Sequence, residues 1–424
     1  MYIGHVTDCY LPRLGGIEWQ VHDLATRQSA AGHQVEVVTN VPGAGSQGEI
    51  PVHRPRGEVG AEAIRYRSAR RGSEVALSRG FDVLHVHAST CSPLAYWTVG
   101  GATRAGIPVV VTLHSLWSWA AGIYRVGNWV TRWGHLPVQW TAVSAAAARP
   151  MQRMLPAGVP VTVLPNGVDR EQWLLPPAEA VRVGADGVPE VHVVSTLRFS
   201  HRKRPLPLVD MLREARTALD GRVRLRATLV GDGPMRPKVE AALRRCGLDD
   251  CVELPGRLER PAIAELFARA DLYLAPAELE SFGIAALEAR CAGLPVLGRA
   301  GTGLAEFITP GVDGLLGASD AELVRSLVLL ASDVPLRTSI ARHNRHQPPR
   351  VSWPQILRSC QQLYAAASVS AGRPVPDMGA GAPIPGGRAS VGVGGRSRAA
   401  QPVRTRAETA GHVLARAETA GHVP

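Results

Sequence analysis

The chain contains 424 residues, 45% of them hydrophobic, and carries a formal net charge of +11. This length is too great for one ordinary core and predicts two domains of roughly 150–200 residues each. No run of about 18 apolar residues free of charge occurs, which argues against a transmembrane helix. The positive charge fits an anionic partner, such as a nucleotide or a phospholipid surface, and fits equally well an arginine-rich proteome with no partner implied.

The start of the chain and its cysteines indicate the compartment. Residues 2–7 read as a strand, without the basic and apolar regions of a secretion signal. The six cysteines include no CxxC pair, which favours reduced thiols over a disulfide framework. We therefore predict a cytoplasmic protein.

Short apolar strands alternate with helical patterns in the first part of the chain. The helical stretch Ile17–Ala31 lies between the first two strands and is ended by Gly32. Apolar runs of this kind, rather than strict alternation, are typical of a parallel sheet covered on both faces. The predicted strands are 2–7, 34–39, 82–87, 108–114, 140–144 and 161–165.

A second series of strands and helices follows a predicted linker at 166–190, which is rich in Pro, Gly and acidic residues. We predict an α/β fold of two doubly wound Rossmann-like domains, residues 1–168 and 169–350, that face each other across a cleft. A ligand is expected in this cleft, beyond the carboxyl ends of the strands. The strands of the second series are predicted at 191–197, 223–231, 251–256, 271–277 and 294–299.

The end of the chain differs in composition. We expect a helix at 351–367 that packs back on the first domain. Residues 368–424 are rich in Gly, Pro, Ala and Ser, lack aromatic residues, and are predicted to be disordered.

Two short segments place ligand-binding groups at the predicted cleft. Gly15 and Gly16 stand at the start of the first helix, where free N–H groups favour an anion, although such a pair is also common in a tight turn. Arg198 and Lys203 follow the first strand of the second domain and are suited to phosphate, although a solvated basic loop would look the same.

A third segment carries two glutamates around an apolar stretch. Glu280 precedes a helix predicted from near Gly283 to near Gly293, and Glu288 lies about one and a half turns inside it, roughly 8 Å along the axis. Because helical side chains lean toward the N-terminus, Glu288 can reach the same cleft. The two carboxylates are therefore expected near opposite ends of an elongated ligand, with helix-start N–H groups for a phosphate between them.

The segment 280–316 reads "ESFGIAALEARCAGLPVLGRAGTGLAEFITPGVDGLL". It is preceded, in order, by "LGGIEWQVHDLATRQSAAGHQVEVVT", "DVLHVH", "VVVTLH", "TAVS", "VLPNGVD" and "LVGDGP". Over about residues 1–367, this ordered set resembles the retaining GT-B glycosyltransferases of family 4, also called group 1 glycosyltransferases.

The resemblance implies roles for matching residues. Glu280 matches the glutamate that contacts the donor sugar and is linked to catalysis, and Glu288 matches the one that binds the ribose hydroxyls. His114 matches the histidine beside the donor sugar and is assigned with Glu280 to catalysis. The residues assigned to the donor diphosphate are Gly16, Arg198, Lys203, Phe282, Gly283 and Leu304.

This sequence departs from the family pattern at three positions. Leu197 stands where the family has Gly before the arginine, and Arg204 where it has Gly after the lysine. Ala305 replaces a frequent Pro. The first two changes are expected to alter the loop at the diphosphate and put the donor preference in doubt, but they leave both cations in place.

The implied reaction is transfer of a sugar from a UDP- or GDP-sugar to an acceptor hydroxyl, with retention of anomeric configuration. No D-x-D triplet occurs, so we predict catalysis without a metal or other cofactor, with Arg198 and Lys203 in the metal's role. Whether Glu280 acts as a nucleophile or positions the sugar stays open at this point.

Other functions remain open from the sequence. A nucleotide-sugar epimerase or a glycogen-type phosphorylase could share the fold, and a non-catalytic protein could bind the same donor. A glycosidase would need two carboxylates about 5–9.5 Å apart on one sugar, and the diphosphate cations argue against it.

The acceptor is expected on the first domain and could be a small molecule, a glycan or a lipid; no nucleic-acid partner is predicted. The tryptophans of 116–140 indicate either core packing or a surface for a lipid or hydrophobic acceptor. The basic stretch 65–72 could attract anionic lipid at the inner face of the membrane, or be a solvated helix face. These tryptophans are Trp117, Trp119, Trp129, Trp133 and Trp140.

Overall fold

Two mainly parallel β-sheets, one in each half of the chain, organise the molecule. The structure is a computed structural model that describes residues 1–55, 62–116, 122, 127–128, 132–176, 182–184 and 186–376. These residues belong to one compact unit, Met1–Gly379. No helix among them is long and apolar enough to cross a membrane.

The first sheet has β1 at its centre, paired in parallel with β2 on one side and β5 on the other. Val6 of β1 lies opposite Val38 and Val86, and all three side chains are buried. This explains the continuous apolar runs, since helices cover both faces of the sheet. The described strands, in the spatial order β3-β4-β2-β1-β5-β6-β7-β8, are β1 Tyr2–Thr7, β2 Gln34–Thr39, β3 Ser46–Gln47, β4 Ile50–His53, β5 Val83–Ala88, β6 Val109–Leu113, β7 Gln139–Ala142 and β8 Val161–Val163.

The second sheet is parallel except for β9, which pairs antiparallel with the start of β10. Its order places β10 beside β13, and β13 beside β14, so that the carboxyl ends of these three strands are neighbours. The described strands, ordered β12-β11-β10-β13-β14-β15, are β9 Arg182–Val183, β10 Pro189–Thr196, β11 Arg224–Val230, β12 Val252–Gly256, β13 Leu272–Ala275, β14 Val296–Arg299 and β15 Gly314–Gly317.

Helices connect the parallel strands and cover the sheets. The described α-helices are α1 Gly16–Ala30, α2 Glu62–Ser78, α3 Pro93–Arg104, α4 Ala145–Gln152, α5 Pro205–Leu219, α6 Arg236–Arg245, α7 Arg260–Ala268, α8 Ile284–Cys291, α9 Asp320–Ser332, α10 Val334–His346 and α11 Trp353–Ser370.

The predicted fold class, two Rossmann-like domains of α/β type, is confirmed. The sequence did not predict β3, β4, β9 or β15, which have two to four residues each and lie at or near sheet edges. The predicted linker 166–190 also contains a 3-10 turn, Arg170–Gln172, and β9. Such short elements depend on pairing with a neighbouring strand and have no periodic pattern of their own.

The last helix, α11, packs on the first sheet. Ile356, Tyr364 and Ala367 are buried in one cluster with residues of β1, β2 and α1. The predicted tail boundary at 368 is wrong, because the helix continues to Ser370 and Ser368 is buried, with Oγ donating to the Tyr364 carbonyl at 3.1 Å. Most of the tail that is predicted to be disordered, residues 377–424, lies outside the described residues.

Candidate active site

Most of the sequence-predicted site residues of the second domain follow the carboxyl ends of β10, β13 and β14. Arg198 comes two residues after β10, and Lys203 ends a 3-10 turn, His201–Lys203. Glu280 lies in the loop between β13 and α8. This is the edge at which open parallel sheets bind ligands.

Lys203 and Glu280 meet at this edge. Lys203 Nζ donates to Glu280 Oε2 at 2.5 Å, and the Glu280 side chain is 16% exposed. The carbonyl of Glu280 also accepts from the N–H of Gly303 at 2.9 Å, which fixes the loop. A cation predicted for the diphosphate and a carboxylate predicted for the sugar are therefore neighbours.

Arg198 faces the glycine loop of the first domain. Its side chain is exposed and makes no hydrogen bond or ion pair within the described part of the chain. Burial raises the pKa of Glu18, and the charges of Arg13 and Arg198 oppose that rise. Since Glu18 lies in the first turn of α1, the guanidinium of Arg198 is close to the start of that helix.

The starts of α1 and α8 face each other. A Cβ on Gly16, the first residue of α1, would lie 3.1 Å from Ile284 Cδ1, in the first residue of α8. Gly283 caps α8 with φ 90° and ψ 54°, a left-handed conformation that suits glycine. Two helix N-termini thus converge at the predicted diphosphate position.

Phe282 and Leu304 have buried side chains, so their assignment to the diphosphate stays a prediction about their backbone groups. Phe282 is 1% exposed and its ring packs on Phe307, with centroids 5.4 Å apart. Leu304 is also 1% exposed and lies under Gly283 and Gly298. These side chains support the loops, so only their backbone groups could contact a ligand.

His114 at the end of β6 is joined to the loop that carries Glu280. Ser281 Oγ donates to the carbonyl of His114 at 2.7 Å, and Ser144 Oγ donates to the carbonyl of Ser281 at 2.5 Å. Burial lowers the pKa of His114 to about 4, so the imidazole is neutral. The structure therefore brings His114 beside the Glu280 loop, and its contact with the donor sugar stays a prediction.

Glu288 lies in α8 beside α1 and α7. Its side chain is 13% exposed, and Arg260 lies 4.0 Å away. Burial raises the pKa of Glu288 to about 8, with Arg260 opposing the rise. The free protein therefore holds this carboxyl mostly protonated at neutral pH.

Arg260 is a residue of this region that sequence reasoning missed. It pairs with Asp23 of α1 at 2.9 Å and stacks over the Trp19 ring at 4.3 Å. The partners come from the other domain, so no local signal in the sequence could have found the contact.

Arg204 explains one departure from the family pattern. It adopts φ 55° and ψ 48°, the left-handed conformation that a glycine would take there. Its guanidinium forms two hydrogen bonds to Asp320, at 2.8 and 2.7 Å, and lies 3.3 Å from Glu278. The arginine therefore keeps the turn that follows Lys203 and ties it to the start of α9.

A surface pocket of about 590 Å³ lies elsewhere, at the amino ends of β10 and β11. Its lining mixes acidic and basic groups, including Glu190, Arg216 and Asp250. It lies at the opposite edge of the sheet from Lys203 and Glu280, and ligands of such sheets bind at the carboxyl edge.

Comparison with known families agrees with this arrangement. Residues 14–172 match the model described as Glycosyltransferase Family 4, and residues 188–347 match the one described as Glycosyl transferases group 1. Together the two matches cover about three quarters of the chain.

Individual proteins are similar over different lengths. A D-inositol 3-phosphate glycosyltransferase of Kribbella flavida is 32% identical over 220 residues, 49% of this chain and about half (51%) of that protein. One from Xylanimonas cellulosilytica is 27% identical over 404 residues, covering 84% of this chain and 92% of the relative. The crystal structure of Anabaena Alr3699/HepE in complex with UDP and glucose has a TM-score of 0.68 at 21% identity, covering 85% of this chain and 98% of that one.

Proposed function

This chain belongs to the glycosyltransferases built from a family 4 and a group 1 domain, and on that premise we propose the reaction it catalyses. It transfers a sugar from a UDP- or GDP-sugar to an acceptor hydroxyl, retains the anomeric configuration, and uses no metal. The contact between Lys203 and Glu280, beside the exposed Arg198, carries this proposal.

The reaction requires the enzyme to stabilise charges of both signs in the transition state. Breaking the bond between the anomeric carbon and the β-phosphate oxygen leaves negative charge on the phosphate and positive charge on the sugar ring. Arg198, Lys203 and the converging helix starts are suited to the first, and Glu280 to the second. Removing one such preorganised group typically costs about 10²–10³ in rate.

Retention is proposed to follow from attack on the face that the phosphate leaves. The acceptor oxygen forms the new bond to the anomeric carbon, and its proton passes to the departing phosphate oxygen. Glu280 then stabilises the oxocarbenium-like sugar and positions it, once the diphosphate has drawn Lys203 away from the carboxylate that it pairs with in the free protein.

The absence of a D-x-D triplet supports catalysis without a metal. Two cations are available for a diphosphate instead, and Arg198 has no partner among the described residues that would compete for it. Turnover should therefore persist in EDTA.

The acceptor is proposed to be a hydroxyl of a polyol phosphate, a lipid or a cell-envelope glycan bound to the first domain. Similarity to D-inositol 3-phosphate glycosyltransferases supports a polyol phosphate as the first compound to test. Trp133 and Trp140 pack edge to face at 5.3 Å, which favours a core role for these two, whereas Trp117, Trp119 and Trp129 lie outside the described residues. Membrane contact and a cytoplasmic location stay predictions; Arg70 in the basic stretch is paired with Glu74 at 3.1 Å.

The test is a panel of UDP-glucose, UDP-N-acetylglucosamine and GDP-mannose, each offered with inositol phosphates, lipid extract or soluble glycan, in EDTA or Mg²⁺. We expect product with one donor in both buffers, with the anomeric configuration of the donor by NMR. Conversion of a nucleotide sugar without acceptor would indicate an epimerase instead. Tight donor binding with no product from any combination would indicate a binding protein.

A further inference from the structure

A buried chain of polar side chains runs beneath the first sheet from His114. His114 Nε2 lies 3.0 Å from His87 Nδ1, and His87 Nε2 lies 2.9 Å from His5 Nδ1. His5 Nε2 lies 2.7 Å from Gln28 Oε1, and Gln28 Nε2 donates to the Tyr364 hydroxyl at 2.8 Å. Four elements, β1, β5, α1 and α11, thus contribute to one path.

The path continues from Tyr364 to a backbone carbonyl. The Tyr364 hydroxyl lies 2.9 Å from His85 Nδ1, and His85 Nε2 lies 2.7 Å from Thr112 Oγ1. Thr112 Oγ1 lies 2.7 Å from Thr141 Oγ1, which donates to the carbonyl of Val111 at 3.1 Å. All side chains of the path are buried.

The carbonyl at the end fixes the direction of every bond. A carbonyl only accepts, so Thr141 donates to it, and Thr112 must then supply the proton between the two hydroxyls. Thr112 therefore accepts from His85 Nε2, which leaves His85 Nδ1 to accept from Tyr364. In the reverse direction Thr141 would have to donate to Thr112 instead, and its hydrogen bond to the Val111 carbonyl would be lost.

The donor and the acceptor of each bond from Gln28 to the other histidines follow in the same way. Tyr364 accepts from the Gln28 amide nitrogen, so Gln28 Oε1 accepts from His5 Nε2. His5 Nδ1 then accepts from His87, and His87 Nδ1 accepts from His114 Nε2. A neutral imidazole has one N–H, so His114 Nδ1 carries a lone pair. It has no partner within the described residues.

We propose that this series of hydrogen bonds holds His114 in the Nε2–H tautomer, so that Nδ1 accepts a hydrogen bond from a hydroxyl of the donor sugar. Gln28 and Tyr364 are then positioning residues for the transfer reaction. The assignment of the sugar rests on the function proposed above. A lone pair also places partial negative charge toward the sugar, where positive charge develops in the transition state. Helix α11 then has a role in the reaction, because it brings Tyr364 beneath the sheet.

A metal ion is the competing occupant. Nitrogen atoms of His5, His85 and His87 lie within 4.8 Å of one another. Each of their six ring nitrogens is already a partner in the chain, so a cation could bind only by breaking it. The unbroken series of hydrogen bonds therefore favours the tautomer assignment over a bound metal ion.

The test is the long-range ¹H–¹⁵N spectrum of the free full-length protein with ¹⁵N-labelled histidine, assigned with single His→Ala variants. We expect neutral Nε2–H forms for His5, His85, His87 and His114. A His114 that is mainly Nδ1–H, or a stoichiometric Zn²⁺ ion that survives dialysis and is lost in His85→Ala, would overturn the tautomer assignment. This readout needs no substrate, so it stays separate from any failure of the transferase assay.

Tyr364→Phe tests the positioning role. It frees the Gln28 amide to turn over, so His114 should appear as both tautomers, and kcat should fall about tenfold while UDP affinity stays constant. Tyr2→Phe is the control. It also removes a tyrosine hydroxyl, but from a residue of the first sheet that takes no part in this series of hydrogen bonds, so it should change neither the spectrum nor kcat. A Tyr364→Phe protein with the native tautomers, or with native kcat, would contradict the proposal.

Discussion

Lys203 and Glu280 are 77 positions apart in the sequence, yet Lys203 Nζ and Glu280 Oε2 lie 2.5 Å from each other at the carboxyl edge of the second sheet. In the free protein each charge is therefore the other's partner. A diphosphate that binds here must take Lys203 from Glu280, which leaves the carboxylate available to the sugar.

Lys203→Met should lower kcat/KM by about 10²–10³-fold, because the leaving phosphate loses a preorganised cation. Lys238→Met is the matched control, since Lys238 is an exposed lysine of α6, the helix after β11. Steady-state kinetics with the active donor measures the effect. Equal activity of both variants would show that Lys203 does not contact the phosphate.

Glu288 should make folding depend on pH. Burial raises its pKa to about 8 in the folded protein, whereas an unfolded glutamate titrates near about 4.3. The folded state thus binds an extra proton between these values, so this contribution to stability is complete below about pH 4.3 and is lost as pH rises through about 8.

Glu288→Gln removes that dependence. The free energy of unfolding of the native protein minus that of the variant should fall by about 4 kcal/mol between pH 5 and pH 8.5 in urea titrations, since each pH unit between the two pKa values is worth about 1.4 kcal/mol. The exposed Glu265→Gln is the control. Parallel curves for the native protein and Glu288→Gln would exclude a raised pKa at this position.

The same proton should affect binding of the nucleotide. Ribose hydroxyls donate to a carboxylate, so Glu288 must lose its proton first, and UDP affinity should rise between pH 7 and pH 9. Calorimetric titration should show this rise in the native protein and a flat profile in Glu288→Gln. A rise of equal size in the variant would assign it to another group.

Arg204→Gly should have two effects on stability that offset each other. Replacing a left-handed non-glycine residue by glycine stabilises the fold by about 1 kcal/mol. Losing the pairing with Asp320 destabilises it by about the same amount. Asp320→Asn keeps the unfavourable backbone and loses the pairing, so it should be the less stable variant in urea unfolding. Arg202→Gly, in the same turn, serves as the control for adding a glycine. Equal losses for Arg204→Gly and Asp320→Asn would show that no strain is relieved.

The sequence predicted the parts of the site that depend on local order. Glu280 and Glu288 flank the start of α8 as their spacing requires, and Arg198 and Lys203 follow the strand that the apolar run predicted. These loops meet because each follows the carboxyl end of a parallel strand, and neighbouring parallel strands have their carboxyl ends at the same edge of the sheet.

What the sequence did not predict depends on long-range packing. The contact of Arg260 with Asp23 joins two domains, and the burial of Phe282 and Leu304 separates side-chain from backbone roles that a motif cannot distinguish. Tyr364 reaches His85 only because α11 returns to the first sheet. None of these contacts has a periodic or compositional signal.

The most direct test of the account is the pair of measurements on Glu280→Gln: transfer with the active donor and UDP binding by calorimetry. Neutralising this carboxylate should lower turnover at least about 100-fold, because the sugar loses its stabilising charge. The variant should bind UDP as tightly as the native protein or more tightly, because Lys203 no longer has to leave an ion pair. Native turnover, or loss of UDP binding, in Glu280→Gln would contradict the account.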